Sequence, residues 1–315
     1  MVSGATRGGR PELQTINSAQ PALTGAGRSF RVTRPLCLEE ALERKSAAGS
    51  RGRFWAGGTD IMLDWRRGLQ RFTECIDLSL VDELVGIRVL DDQIIVGART
   101  TLHELAGAAG QSEELRVLAG VAAVMCTVQT RTIATIGGNL ANASPAADLA
   151  PPLLALDATA VVVSQRGTRE LALVQLFAGP KRTSLEEDEL LGHVMIPRAR
   201  GRGAAYQRIA RTHVDIALAL SAVSVEVDAH GIVVGARLGM GSVAPTPLLV
   251  DLGPLLVGRP VGAAEGSLDA AGSLAAAAAA PIDDVRTTAA YRTEMCKVLT
   301  RRALQEAAGR AGAAR

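Results

Sequence analysis

A chain of 315 residues with 48% hydrophobic but only 3% aromatic content can bury a full Ala/Val/Leu core and fills about two domains. So few aromatics exclude the stacking face of a single-stranded nucleic-acid or carbohydrate binder. The formal net charge of +2 sits wholly in residues 1–28, where Arg7, Arg10 and Arg28 face Glu12; the neutral remainder argues against DNA or an anionic membrane as partner.

In chain order, residues 1–28 are rich in Gly, Ser, Thr, Ala and Arg and lack the apolar stretch of a secretion signal, so they read as a disordered tail. "PLCLEEALERK" places Leu38, Ala41 and Leu42 on one face and charges on the other, which predicts a helix. "GRFWAGG" predicts a short strand ending in glycines. "TDIMLDWRRG" predicts a helix that starts at Thr59 or Asp60, both good caps, and stops at Gly68. "ECIDLS" is a second buried strand. "GIRVLDDQIIVGA" alternates on both sides of Asp91-Asp92, a hairpin signal. Helices are predicted over "LHELAG" and "ELRVLAGVAAVMC".

Strands follow in "ATAVVVS", in "GTRELAL" paired with it, and in "ELLGHVMIP", which Pro197 ends. Residues 198–203, "RARGRG", read as a basic, flexible link and a domain boundary. Beyond it, "IALALSAVSVEVDAHGIVVGARLGMG" alternates about a turn at residues 228–231. Two helices separated by Pro281 close the chain. The class is α+β with mixed sheets. No apolar run approaches the ~20 residues of a membrane helix.

Two glycine loops stand out. In Ala56, Gly57, Gly58, Thr59 and Asp60, followed by Ile61, a strand ends, glycines turn the chain and a helix begins. Consecutive glycines let backbone N–H groups converge on an anion, or simply make a tight turn. Thr135, Ile136, Gly137, Gly138 and Asn139 repeat the device with no clear helix start behind it. Two such loops suit a pyrophosphate held between them, with Asn139, Asn142 and Ser144 as side-chain donors. Asp148 either caps the start of "LAPPLLAL" or accepts a ligand hydrogen bond. "GMGSVA" matches a dinucleotide fingerprint, but the following "PTP" cannot run on as the required helix. "PKRT" and "RIARTH" are basic clusters that suit either solvated loops or contact with a cofactor or partner. Cys37, Cys75, Cys126 and Cys296, like the four histidines, are too dispersed for a zinc or iron–sulfur ligand set, and fit a reducing cytoplasm.

"FWAGGTDIMLDWRRG", "TIATIGGNLANASPAADLAPPLLALDA", "GPKR", "ELLGHVMIP", "AAYQRIARTHVDIALA" and "DDVRTTAAYRTEMCKVLTRRAL" together resemble the FAD-binding medium subunit of the xanthine dehydrogenase and carbon monoxide dehydrogenase family, the molybdenum hydroxylases. The match runs from about residue 30 to about residue 304. One departure is Thr130-Arg131-Thr132, where Ile-Arg-Asn is more familiar. The resemblance implies a two-subdomain FAD-binding fold of the vanillyl-alcohol oxidase (PCMH) type over residues 29–203, divided near 85, and a C-terminal domain of antiparallel sheet and helices over 204–310. It implies non-covalent FAD on the two glycine loops, an Asp148 contact with FAD, Leu191 packed near it and the basic Arg208 beside the flavin. It also implies a large molybdopterin subunit, a small [2Fe–2S] subunit, a dimer of heterotrimers, and an NAD or quinone-type acceptor. Such a chain supplies no catalytic side chain and no metal ligand of its own. The alternative is a free-standing FAD oxidase of the same fold.

Overall fold

The computed structural model describes residues 29–313; the tail expected over residues 1–28 lies outside the described residues. The first unit contains β1 (Arg31–Thr33), α1 (Leu38–Ala48), β2 (Gly52–Trp55), α2 (Ile61–Arg66) and β3 (Glu74–Asp77). Its three strands are parallel in the order β1-β3-β2. Parallel pairing requires a crossover between strands, and the two amphipathic segments supply it. Ala41, Ile76, Leu78, Val81 and Leu84 form a small core here. Phe30, Trp55, Trp65 and Phe72 pack together, with the Phe30 and Trp65 ring centroids 5.0 Å apart.

A second unit begins with the predicted hairpin, β4 (Ile87–Val89) and β5 (Gln93–Gly97). Five helices follow: α3 (Leu102–Ala106), α4 (Glu113–Val124), α5 (Val128–Arg131), α6 (Ile136–Ala141) and α7 (Ala150–Ala155). Then come β6 (Thr159–Ser164), β7 (Gly167–Ala172), the small pair β8 (Phe177–Gly179) and β9 (Arg182–Thr183), and β10 (Leu190–Pro197). Five strands pair antiparallel in the order β4-β5-β10-β6-β7. Ile94, Val96, Val162, Val194 and Ile196 share one core with Leu118 and Val121 of α4 and with Leu153 of α7.

The third unit is an antiparallel meander of β11 (Arg202–Ile209), β12 (Ala219–Val227), β13 (Val233–Gly241) and β14 (Leu248–Asp251). The short α8 (Gly253–Leu256) leads to α9 (Leu268–Ala278) and the long α10 (Ala289–Ala313). Val223, Val225 and Leu238 meet Leu299, Ala303, Leu304 and Ala307 in its core. Alanines on α10 allow close approach to the sheet, which is the use of the alanine-rich composition.

The structure corrects two expectations. Residues 198–203 are not a flexible link. The chain turns at Gly201 (φ +73°) and enters β11 at Arg202, whose guanidinium is 2% exposed. It is held there by Glu114 of α4 at 3.1 Å and Glu226 of β12 at 2.6 Å. A buried charge needs such partners, and they come from elements remote in sequence. The second correction is α6, whose helical start lies inside the Thr135–Asn139 motif itself. The rejected fingerprint finds its reason too. Gly239 lets α7 sit on β13, since a Cβ there would stand 1.9 Å from the Pro151 carbonyl oxygen.

Candidate functional site

A cleft of about 680 Å³ opens between the loop after β2 and the α5–α6 segment. Ala56, Gly57, Gly58, Thr59, Asp60 and Ile61 line one wall, and Thr135, Gly138 and Asn139 line the other. The two loops touch: a Cβ on Gly57 would lie 1.9 Å from the Ile133 carbonyl oxygen. Gly58 takes φ +71° above the Trp55 ring, a turn that an L side chain resists.

The loops differ in what they do with their amides. Among the described residues, the N–H groups of Gly57, Gly58, Thr59, Asp60 and Ile61 meet no acceptor; the first helical bond runs from Met62 to the Gly58 carbonyl at 3.1 Å. Five successive donors are thus free for an anion. In the second loop four of the five donors are used. Ile136 donates to Thr100 O at 3.0 Å, Gly137 to Ala98 O at 2.7 Å, and Asn139 to Thr135 O at 3.0 Å. Gly138 donates to the Thr135 hydroxyl at 3.0 Å, the N-cap bond of α6. The second loop therefore contributes shape. A Cβ on Gly138 would meet only the Thr135 Oγ1, at 3.0 Å, and would otherwise fill the cleft. Asn139 Oδ1 is buried in that wall without a partner, an acceptor awaiting a donor.

Six residues expected at the cofactor do not line this cleft. Ile136 and Leu191 are core residues, and Gly137 packs on Ala98 of the β5–α3 connection. Ser144 accepts from Ala146 N at 3.3 Å, inside its own turn. Asp148 does not cap α7, whose N-cap position is Leu149. Its carboxylate, 8% exposed, accepts from Arg208 Nε at 3.0 Å and the Tyr206 hydroxyl at 3.2 Å. Burial pushes this carboxyl above its ordinary value, while the Arg208 charge and the two hydrogen bonds oppose the rise. Arg208 faces a second cavity of about 670 Å³ bounded by α4 and the β11–β12 loop.

The two cavities adjoin. Val124 lines the second, and Met125 and Cys126 line the cleft. Burial raises the Cys126 thiol above its usual range, and the Asp148 and Asp60 carboxylates add to the rise. Asn142, expected as a side-chain donor, also lines the cleft; Met125 and Cys126 are lining residues that the motifs did not single out. Cys126 takes φ +51°, which no sequence pattern announces. Lys181 belongs to the "PKRT" cluster, whose two readings only the fold separates.

The chemistry of the site fits a ligand with a diphosphate and free hydroxyl groups: phosphate oxygens for the open amides, and a hydroxyl donor for Asn139 Oδ1. The family model described as "FAD binding domain in molybdopterin dehydrogenase" matches residues 28–199, and "CO dehydrogenase flavoprotein C-terminal domain" matches residues 204–307. The carbon monoxide dehydrogenase medium chain of Afipia carboxidovorans is 33% identical over 285 residues, covering 90% of this chain and 98% of that one. The putative xanthine dehydrogenase FAD-binding subunit of Escherichia coli K12 is 28% identical over 262 residues, or 82% and 89% of the two chains. Among solved structures, the cyanide-inactivated Cu,Mo-CO dehydrogenase superposes with a TM-score of 0.84 at 33% identity, covering 90% of this chain and 99% of that one. Quinoline 2-oxidoreductase from Pseudomonas putida 86 gives 0.82 at 26% identity, covering 90% and 98%. A cleft built for a dinucleotide, two family models that follow one another along the chain and relatives matched over nearly their whole length lead to one conclusion: this chain belongs to the FAD-binding medium subunits of the molybdopterin dehydrogenases, the molybdenum hydroxylase family.

Proposed function

We propose that this oxidoreductase subunit holds FAD in the cleft between its two glycine loops and relays electrons for a larger complex. When bound there, FAD supplies the redox chemistry, taking electrons from [2Fe–2S] clusters of a small partner subunit and yielding them to NAD or a quinone-type acceptor. Substrate oxidation then belongs to a large molybdopterin subunit, and the assembly is a dimer of heterotrimers in the cytoplasm. In this chain, residues 29–203 form the FAD-binding domain and residues 204–310 the C-terminal domain.

The observation that carries this reading is the run of open amides from residue 57 to residue 61, in a cleft whose other wall holds Gly138, with room for a ligand beside it, and the unpartnered Asn139 Oδ1. The amides of the first loop take the diphosphate. Gly138 leaves room for it, and Asn139 accepts from a ribityl or ribose hydroxyl. The Asp148–Arg208 pair supports the Met125–Cys126 end of the wall, and Leu191 backs the same core. No side chain acts as an acid or base; the protein positions and tunes the cofactor. Denaturation in acid tests the reading: the purified chain should be yellow, and all of its flavin should pass to the supernatant as FAD. Colour retained in the pellet would show covalent attachment, and a colourless native chain would overturn FAD binding itself.

A further inference from the structure

The cleft that must receive a diphosphate is lined by five carboxylates against three basic side chains, so its own field opposes an anion. At the glycine loops the opposing groups are Asp60 and Asp64, and the basic group beside them is Lys181. Its ammonium lies 2.8 Å from Asn142 Oδ1, 3.8 Å from Asp60 Oδ1 and 4.0 Å from Asp64 Oδ2. Only the first of these is a hydrogen bond, so two of the three ammonium donors stay open at the cleft.

Unusual backbone holds the amine there. Lys181 sits at the tip of the β8–β9 hairpin with φ +58°, a region where a side chain other than glycine is strained. Its N–H donates to the Ala143 carbonyl at 2.9 Å, and Ala143 also has positive φ, +45°. Two strained residues thus meet at one point. One carries Asn142 into the cleft, and the other brings the amine over it. A solvated surface lysine requires neither strain. Glycine would relieve the strain at residue 181 but would supply no charge, so the amine is what the site retains.

We infer that Lys181 is the counter-charge for the diphosphate of bound FAD, bridging the two glycine loops across the mouth of the cleft. The inference rests on the FAD reading above. It is tested on the full chain after removal of flavin, by titration with FAD and measurement of flavin fluorescence at several ionic strengths. Lys181→Met and Lys181→Gly should each bind FAD about tenfold more weakly, the scale of one partly exposed charge-assisted contact. In both, affinity should depend less steeply on salt. Lys181→Gly should keep the thermal midpoint of the unaltered chain, because glycine suits φ +58°. Lys181→Arg should retain the salt dependence, and the neighbouring Arg182→Met should bind as the unaltered chain does.

Affinity within twofold of the unaltered chain in both Lys181→Met and Lys181→Gly would overturn the inference and leave FAD binding standing. So would an equal loss in Arg182→Met, which would point to a general field, or a loss in Lys181→Met alone, which would point to packing. Failure of the unaltered chain to bind FAD at any salt would remove the reading beneath it as well.

Discussion

The glycines of the two loops do different work at the scale of single residues. Gly138 faces open cleft, so Gly138→Glu should place bulk and negative charge where the proposed diphosphate would lie. We expect FAD to be lost on gel filtration, judged by flavin absorbance, with far-UV circular dichroism unchanged. Gly57 faces backbone. Gly57→Ala must push a Cβ against the Ile133 carbonyl, 1.9 Å away, and so part the loops. That variant should lose about 3 kcal/mol of stability in a urea titration, the range of overpacked sites. Asp148 looks different in the fold than in the chain. Its carboxylate neutralises Arg208, whose side chain is 11% exposed. Asp148→Ala should cost about 2 kcal/mol of stability, somewhat less than a fully buried pair, because Arg208 keeps carbonyl acceptors at His213 and Asp215.

At the scale of elements, the long amphipathic helices and alternating strands were legible because their pattern is local. The boundaries of α1, α4, β5, β6, β10 and the β12–β13 hairpin follow periodicity and turn residues alone. α6 was hidden because glycines and Asn occupy its first turns, and low propensity argues against a helix there. It forms because Thr135, 4% exposed, caps it and because Ile136 and Leu140 are drawn into the core. Thr135→Ala should therefore cost about 1 kcal/mol, as loss of an N-cap does, while Thr135→Ser should recover most of it in a thermal melt. β11 was missed for the converse reason. "AAYQRI" alternates poorly, and its strand state is imposed by pairing with β12 from Arg202 to Ile209.

At the scale of the whole molecule, Arg202 joins the helical layer to the C-terminal sheet through Glu114 and Glu226. Arg202→Met should cost about 3–5 kcal/mol, because it leaves Glu114, 3% exposed, as an uncompensated buried charge. The double variant with Glu114→Met should recover most of that loss, as measured by urea midpoints. The four cysteines are free thiols. Cys75 lies at β3 and Cys296 in the C-terminal core, where burial pushes its thiol to about 11. Among the described residues no group of His, Cys, Asp or Glu could hold a metal ion, and under the proposed division of labour the full chain loaded with FAD should oxidise no CO, purine or aldehyde. Dye reduction by any of these substrates, in the absence of molybdenum, would contradict the proposed division of labour.

The sequence by itself determined the α+β class, most element positions, the family resemblance and the two glycine loops, since these depend on short-range pattern and on residue types that only tight turns demand. The tertiary structure decided which amides stay open, that Gly57 and Ile133 bring the loops into contact, that Asp148 turns to Arg208, and that Lys181 reaches over the cleft. Each of these depends on groups from elements far apart in the chain. A hydrogen bond already satisfied within the fold is unavailable to a ligand, and no local pattern records which bonds those are.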